Sequence, residues 1–184
     1  MLDIVRLAGK KIDLCILRTD EEAIEKYTKW LNDASINKWF GYNDTIIQYN
    51  HEVDRVTKEA SDDKTCDFII VDKKTRELIG TCAVGCKDGV TAYISIVIGE
   101  EKYRNKGYGA EVVSMLVKFA FEEQNAHRVA LGLVASNERA YKCYSKVGFV
   151  ECGRDHEAIF IHGKYEDNII MEILKKDWSD KDVT

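Results

Sequence analysis

The chain has 184 residues, 45% of them hydrophobic, and a net charge of -5 at pH 7. This length and apolar content predict one globular domain with a sizeable core. The negative charge, without any basic block, disfavours a nucleic-acid surface, and no apolar run is long enough to span a bilayer.

The six cysteines and four histidines are scattered along the chain. No Cys-x-x-Cys pair occurs, and the histidines do not stand at zinc-binding spacing from the cysteines, so we predict no metal site. The N-terminus lacks the pattern of a signal peptide. We therefore expect a cytoplasmic protein whose six cysteines are free thiols.

Hydrophobic periodicity and cap residues define the elements of the first half. Thr19 and Glu22 have the spacing of a capping box, which predicts a helix start, and Thr45 is the expected cap of a second helix. The predicted elements are a strand over residues 11 to 18, a helix over 19 to 31, a loop over 32 to 44 and a helix over 45 to 60.

The second half alternates short apolar runs with two helical patterns. Asp88-Gly89 predicts a tight hairpin, and Gly148 is a natural residue to end a helix. The predicted elements are strands over 66 to 71, 78 to 86 and 91 to 98, a helix over 105 to 123, a strand over 128 to 134, a helix over 137 to 147, and strands over 149 to 154, 157 to 161 and 169 to 174. This order predicts an α+β fold: one domain over residues 1 to 178, and a frayed tail over 179 to 184.

The stretch from Gly99 to Gly109 joins a predicted strand to a predicted helix and contains Arg104-x-x-Gly107-x-Gly109. Glycines at a helix start let the backbone approach a ligand, and the first N–H groups of a helix attract anions. Arg104 and Lys106 add positive charge, so we predict a seat for a diphosphate. The spacing matches neither a P-loop nor a dinucleotide fingerprint. The alternative is a glycine-rich turn entering an ordinary helix.

A second motif, Asn-x-x-Ala-x-x-x-Tyr-x-Lys-x-Gly-Phe, runs from Asn137 to Phe149. Together with the upstream glycine motif, it resembles the GNAT superfamily of acyl-CoA-dependent N-acetyltransferases. The branch it resembles holds ribosomal-protein N-terminal and polyamine acetyltransferases, and the resemblance covers nearly the whole chain. It implies a central mixed, mostly antiparallel sheet of about seven strands flanked by about four helices.

The resemblance also implies acetyl-CoA as co-substrate. It places the pyrophosphate on the N–H groups of Arg104, Asn105, Lys106, Gly107, Tyr108 and Gly109. The pantetheine arm would follow Ile96, Val97 and Ile98, where the strand should splay from its neighbour. Asn137 would hydrogen-bond this arm, although an Asn before Glu138 is equally suited to cap a helix, and the two roles are compatible.

Tyr144 is the predicted general acid, because the motif places it near the CoA sulfur and a phenol stays protonated at neutral pH. The alternative is a core tyrosine with a satisfied hydroxyl. A covalent acyl enzyme on Cys143 is disfavoured, because a lone Cys on an apolar face is usually inert. Many relatives use a Glu on the strand before the phosphate loop, but residues 91 to 98 contain no carboxylate. Tyr93 and Ser95 could relay a proton, and no base is assigned.

The resemblance also implies that the acceptor binds between the two early helices and the final strands. Residues 19 to 67 carry twelve acidic side chains against six basic ones, which could attract a cationic amine or could simply be solvated. The aromatic residues of this region would wall the pocket or pack in the core; they are Trp30, Trp39, Phe40 and Tyr42.

We therefore predict an N-acetyltransferase that moves an acetyl group directly to a primary amine: a small polyamine-like or amino compound, or a protein N-terminus. A CoA-binding sensor or scaffold without turnover is one alternative, and a module that holds ATP is another. No nucleic-acid or membrane partner is expected, and a homodimer is left open.

Overall fold

A computed structural model describes residues 3–40, 45–86, 88–161 and 163–178. Within these ranges the strands are β1 (Val5–Ala8), β2 (Ile12–Ile16), β3 (Thr65–Asp72), β4 (Leu78–Gly85), β5 (Thr91–Ile98), β6 (Arg128–Val134), β7 (Val150–Ile161) and β8 (Lys164–Leu174). The α-helices are α1 (Glu21–Leu31), α2 (Ala34–Asn37), α3 (Tyr49–Glu59), α4 (Tyr108–Glu122) and α5 (Glu138–Val147), with short 3₁₀ helices at Lys38–Phe40 and Glu101–Tyr103. No helix among these residues is long and apolar enough to cross a membrane.

The strands form one sheet in the order β1-β2-β3-β4-β5-β6-β8-β7. All neighbours are antiparallel except β5 and β6, which are parallel and pair only from Thr91–Arg128 to Tyr93–Ala130. β5 stays paired with β4 as far as Ile98, so beyond Tyr93 its other edge is open toward β6. The predicted splay of this strand is thus present.

The two faces of the sheet bury different helices, because successive strand residues point to opposite sides. Phe68 and Ile70 of β3 share a core with α4, whose Leu116 is fully buried. Ile69 and Val71 pack in a second core with α1 and α3. The α+β class and the mostly antiparallel sheet are confirmed, with eight strands and five α-helices in the described residues in place of about seven and about four.

The predicted capping box at Thr19 is wrong. Asp20 is the N-cap of α1, and its carboxylate accepts from the Ala23 N–H at 3.4 Å. Arg18 donates to Asp20 and to Glu22 at 2.7 Å each, so Glu22 binds a guanidinium instead of closing a capping box. The strand predicted over residues 11 to 18 is confined to β2, and the preceding β1, which is mostly exposed, was not predicted.

The loop and the second helix of the first half also differ from the prediction. Residues 34 to 40 form α2 and a 3₁₀ helix, and Asp33 caps α2 by accepting from Ser35 N–H at 2.8 Å. α3 begins at Tyr49 and not at Thr45. The physical reason is that Asn32 uses its side-chain amide to bind both the N–H and the carbonyl of Ile47, at 2.9 Å each, which holds that segment extended. Tyr42 lies outside the described residues.

The second half follows the prediction more closely. α4 begins at Tyr108 and not at residue 105, because Asn105 and Gly107 have positive φ angles of 60° and 83°. The two strands predicted over 149 to 161 are one strand, β7, with an irregularity between Asp155 and Ile159. β8 is longer than predicted and begins at Lys164. The predicted frayed tail lies outside the described residues, as do Lys87 and His162.

Candidate active site

A cavity of about 430 Å³ opens where β5 and β6 diverge. Strand β5, the loop before α4, β6 and α5 supply most of its wall, and Trp39 and Phe40 close one side. It brings together nine of the predicted site residues: Ile96, Val97, Ile98, Arg104, Asn105, Gly107, Gly109, Asn137 and Tyr144. A second cavity of about 530 Å³ adjoins it and shares Arg104, Asn105 and Asn137 with it.

The loop before α4 presents a row of open backbone donors. Gly107 is the N-cap of α4 in the left-handed conformation and makes no side-chain capping bond. Among the described residues, no acceptor receives the backbone N–H groups of residues 105 to 110. Such a run of N–H groups at the positive end of a helix dipole is suited to bind an anion.

Arg104 is held by contacts within the protein: its backbone N–H donates to the Glu101 carbonyl oxygen at 3.0 Å, so this predicted donor is not among the open ones. Its guanidinium donates to the carbonyl oxygens of Ile98 at 3.0 Å and Gly99 at 2.7 Å, and to Ser35 Oγ at 3.0 Å. It also lies 3.6 Å from an Asp33 carboxylate oxygen, and only 10% of its side chain is exposed. Arg104 therefore ties the end of β5 to α2, and its charge is already partnered.

Lys106 and Tyr108 do not line the main cavity. Lys106 is exposed, and its carbonyl accepts from Lys11 Nζ at 3.4 Å. The Tyr108 hydroxyl donates to Asp72 Oδ2 at 2.8 Å, and burial together with that carboxylate raises the pKa of Tyr108 to about 12. The Tyr108 side chain thus anchors the start of α4 to the end of β3.

One of the two predicted roles of Asn137, the helix cap, is present in the structure. Its side-chain oxygen caps α5 by accepting from Ala140 N–H at 3.2 Å. It also lines both cavities, where its amide can meet a ligand. The capping role is thus present in the structure, and the ligand-binding role stays a prediction.

Tyr144 projects from α5 into the main cavity, and its ring packs against Phe149 with centroids 5.9 Å apart. Its hydroxyl makes no hydrogen bond to a described residue, unlike the hydroxyl of a satisfied core tyrosine. Burial raises the pKa of Tyr144 above its usual value, so the phenol is protonated at neutral pH. Burial also raises the pKa of the neighbouring Cys143 thiol, which makes that residue a poor nucleophile.

Three cations on the cavity wall were missed by the sequence analysis: Arg139, Lys142 and Lys146. They stand three and four residues apart on α5, a spacing that places side chains on one helix face. That spacing is visible in the sequence and could have identified them.

Tyr93 and Ser95, the two residues that could relay a proton, lie on the face of β5 that points away from α4. Ser95 lines the cavity and is exposed, and Tyr93 is 59% exposed. None of the described residues that line the main cavity is an Asp or a Glu. Trp30 is buried in the core and donates from Nε1 to Glu100 Oε1 at 3.3 Å, so it packs and does not wall the cavity.

Comparisons with known proteins show the family and the fold of the chain. Residues 13–150 match the family model of the acetyltransferase (GNAT) domain. A spermidine N(1)-acetyltransferase of Vibrio cholerae is 32% identical over 85 residues, which are 46% of this chain and 49% of that protein. The Bacillus subtilis protein YdaF is 27% identical over 78 residues, 42% of this chain and 43% of that one. The chain thus spans just under half the length of these two relatives.

Among solved structures, a spermidine N-acetyltransferase from Vibrio cholerae in complex with CoA and spermine has a TM-score of 0.81. It is 22% identical to this chain, and the match covers 91% of this chain and 97% of that one. At this identity the likeness shows a shared fold.

Proposed function

The chain belongs to the acetyltransferase (GNAT) domain family, and we propose that it transfers the acetyl group of acetyl-CoA directly to a primary amine. The observation that carries this proposal is the open edge of β5, which leads straight to the free N–H groups of residues 105 to 110. Acetyl-CoA has a thioester on an extended arm and a diphosphate at the other end of that arm. The open strand edge suits the arm, and the N–H groups that follow it suit the diphosphate.

In this proposal the diphosphate binds the N–H groups of residues 105 to 110. The cations on α5, Arg139, Lys142 and Lys146, face the same cavity and balance the phosphate charges. The pantetheine arm lies along Ile96, Val97 and Ile98, whose open edge offers backbone donors and acceptors. An N–H group of this edge would also hold the thioester oxygen as negative charge develops on it.

The chemistry requires a nucleophilic nitrogen and a proton for the leaving sulfur. The amine lone pair forms the C–N bond at the acetyl carbon, and the C–S bond then breaks. The Tyr144 hydroxyl donates its proton to the departing sulfur. Burial raises the pKa of both Tyr144 and the nearby Cys143 thiol, so the same dry surroundings would raise the proton affinity of a CoA thiolate. No step of this scheme requires a metal ion.

We propose a cationic primary amine as the acceptor. A relative bears the name of a spermidine acetyltransferase, and residues 19 to 67 of this chain carry twelve acidic against six basic side chains. A polyamine-like compound, another small amine and a protein N-terminus all carry such a group. We also propose a cytoplasmic location, since all six cysteines are unpaired thiols.

A thiol-release assay tests the proposal. The protein is mixed with acetyl-CoA and with spermidine, glucosamine, lysine or a short peptide with a free N-terminus, and the acetylated amine is identified by mass spectrometry. We expect amine-dependent release of CoA in equal amount to the product. CoA binding without release for any amine would favour a binding domain without turnover, and displacement of CoA by ATP would favour a nucleotide module.

A further inference from the structure

Asp67 is a half-buried carboxylate that the scheme above does not use. It lies in β3, and its Oδ2 atom is buried with no hydrogen-bond partner among the described residues. No ion pair joins it to any described residue either. Burial, aided by nearby Glu59, raises the pKa of Asp67 to about 6. An unpaired carboxylate in such a place is costly and needs an explanation.

Asp67 stands in a row with a residue of the active-site cavity. It pairs with Ala83 of β4, and Ala83 pairs with Ser95 of β5. Directly paired residues of neighbouring strands point to the same face of a sheet, so these three side chains share one face. Ser95 lines the cavity where β5 leaves β6, and Ala83 between them is too small to separate the two polar side chains.

This part of the sheet face is accessible. One step along the strands, α1 and α3 cover Ile69 and Val97 in the second core. Ser95 and Tyr93, by contrast, are exposed. An amine that approaches the thioester from this face would therefore contact Ser95. Asp67 would lie farther from it, on the other side of Ala83.

The distance suits a proton relay. Two strand spacings separate the Cα atoms of Asp67 and Ser95 by about 10 Å. The side chains shorten the gap, and one or two waters with O···O separations of about 2.8 Å would bridge it.

We propose that Asp67 is the terminal proton acceptor for the amine, through water above Ala83 and the Ser95 hydroxyl. This inference rests on the proposed acetyl transfer. The ammonium group gives one proton through Ser95 and water to the Asp67 carboxylate, and the freed lone pair attacks the acetyl carbon. The nitrogen loses its second proton to solvent after the C–N bond forms, and Tyr144 supplies the proton of the CoA thiol. Solvent reprotonates Tyr144 and takes the proton from Asp67, so each turnover releases one net proton.

Charged groups of both signs act on the pKa of the Asp67 carboxyl. From α3, Arg55 lowers its pKa and Glu59 raises it, and Asp62 in the following turn raises it slightly. The titratable groups beside it in the sheet are the thiols of Cys66 and Cys82, and the pKa of each is raised by burial. Both thiols are therefore neutral over the range in which Asp67 would work.

The test is the pH profile of Asp67→Asn. Single-turnover acetyl transfer is measured from pH 6 to pH 10 with the panel amine that the wild-type protein acetylates fastest. We expect a loss of at least about 10-fold at pH 7, which shrinks as the pH approaches the pKa of the amine, because a neutral amine needs no base. A merely structural role would not produce a loss that depends on the ionisation of the acceptor.

Two further variants sharpen the test. Asp63→Asn removes an exposed charge from the turn before β3 and should leave the rate unchanged. Ala83→Val keeps the Asp67 carboxyl, blocks the path to Ser95, and should reproduce the pH-dependent loss. Thermal unfolding of each variant checks that it is folded.

The outcomes are distinct. An Asp67→Asn rate equal to that of the wild type, or a loss that is constant over the whole pH range, would overturn the role of Asp67 and leave acetyl transfer intact. A wild-type protein that acetylates none of the amines would overturn the proposed function and this inference with it.

Discussion

The two sides of the cleft are built from different chemical groups. On the α4 and α5 side, backbone N–H groups of residues 105 to 110 are open and cations line the wall. On the side of α1 and α3, the Ser95 side chain lines the cleft, and the Asp67 carboxylate lies two strands away on the same sheet face, with the carboxylates of Glu59 and Asp62 nearby. The difference suggests that an anionic cofactor and a cationic acceptor approach from opposite sides. Changes on the first side should act through backbone conformation, and changes on the second through charge and proton transfer.

Tyr144 stands where the two sides meet, and its loss should have the largest effect. Tyr144→Phe keeps the ring and its packing on Phe149 but removes the proton donor. We expect the single-turnover transfer rate to fall by roughly 100-fold, with nearly unchanged CoA affinity. Tyr141→Phe is the matched control, because Tyr141 lies on the same helix and is not among the cavity-lining residues. An unchanged rate in Tyr144→Phe would leave solvent as the donor.

Arg104 connects the end of β5 to α2, and its removal should lower the stability of the protein and weaken the binding of both substrates. Arg104→Gln would leave two strand-end carbonyls and the Asp33 carboxylate without their donor, at a cost of about 2 kcal/mol in unfolding free energy. Thermal unfolding and the Michaelis constants for both substrates measure this. Lys106→Gln removes an exposed charge from the same loop and should weaken acetyl-CoA binding a few-fold while the melting temperature stays unchanged. Equal stability of the two variants would contradict the tying role of Arg104.

A substitution at Gly107 changes only the α4 and α5 side of the cleft, where the backbone N–H groups are open. Gly107→Ala places a Cβ at a φ of 83°, and Gly89→Ala does so at 71° in a hairpin remote from the cleft. Each should cost about 1 kcal/mol in unfolding free energy, because left-handed backbone disfavours a Cβ. Only Gly107→Ala should also weaken CoA binding, by about 10-fold, since its Cβ stands where the diphosphate approaches. Calorimetric titration with CoA would measure this, and equal affinities in the two variants would place the diphosphate elsewhere.

Asp67→Asn should raise the unfolding free energy, whereas the Arg104 and Gly107 variants should lower it. The folded-state pKa of about 6 lies above the ordinary value of 3.8, so the fold disfavours the ionised carboxyl. That penalty is present above pH 6, declines below it and is gone below the unfolded-state value. The variant should therefore be more stable than the wild type at pH 8, by about 1 kcal/mol after solvent screening, and equally stable near pH 3.5. A lower stability at pH 8 would show that the carboxylate has a stabilising partner.

The same contrast explains what the sequence could predict. The glycine spacing and the Tyr144 motif identify the cofactor side, because positive φ angles at a helix start depend on local sequence. Asn32 and Ile47 are fifteen residues apart, and their hydrogen bonds delay the start of α3. No periodicity in the sequence reveals such a contact. This is why the start of α3 was predicted at the wrong residue.

The proposed proton acceptor, Asp67, was not predicted from the sequence for a related reason. The resemblance places the expected carboxylate on β5. Asp67 lies two strands away from that strand, and only the pairing through Ala83 shows that it shares a face with Ser95. Register between strands is a property of the folded sheet and is not visible in either strand alone.

The most direct test of the central claim is an amide titration by nuclear magnetic resonance. The account predicts that CoA shifts the backbone amides of residues 105 to 110 and protects them from hydrogen exchange, because these groups gain the acceptors that they lack in the free protein. It also predicts shifts at Ile96 and Ile98, along the open edge of β5. CoA binding that leaves the amides of residues 105 to 110 unchanged would contradict the account.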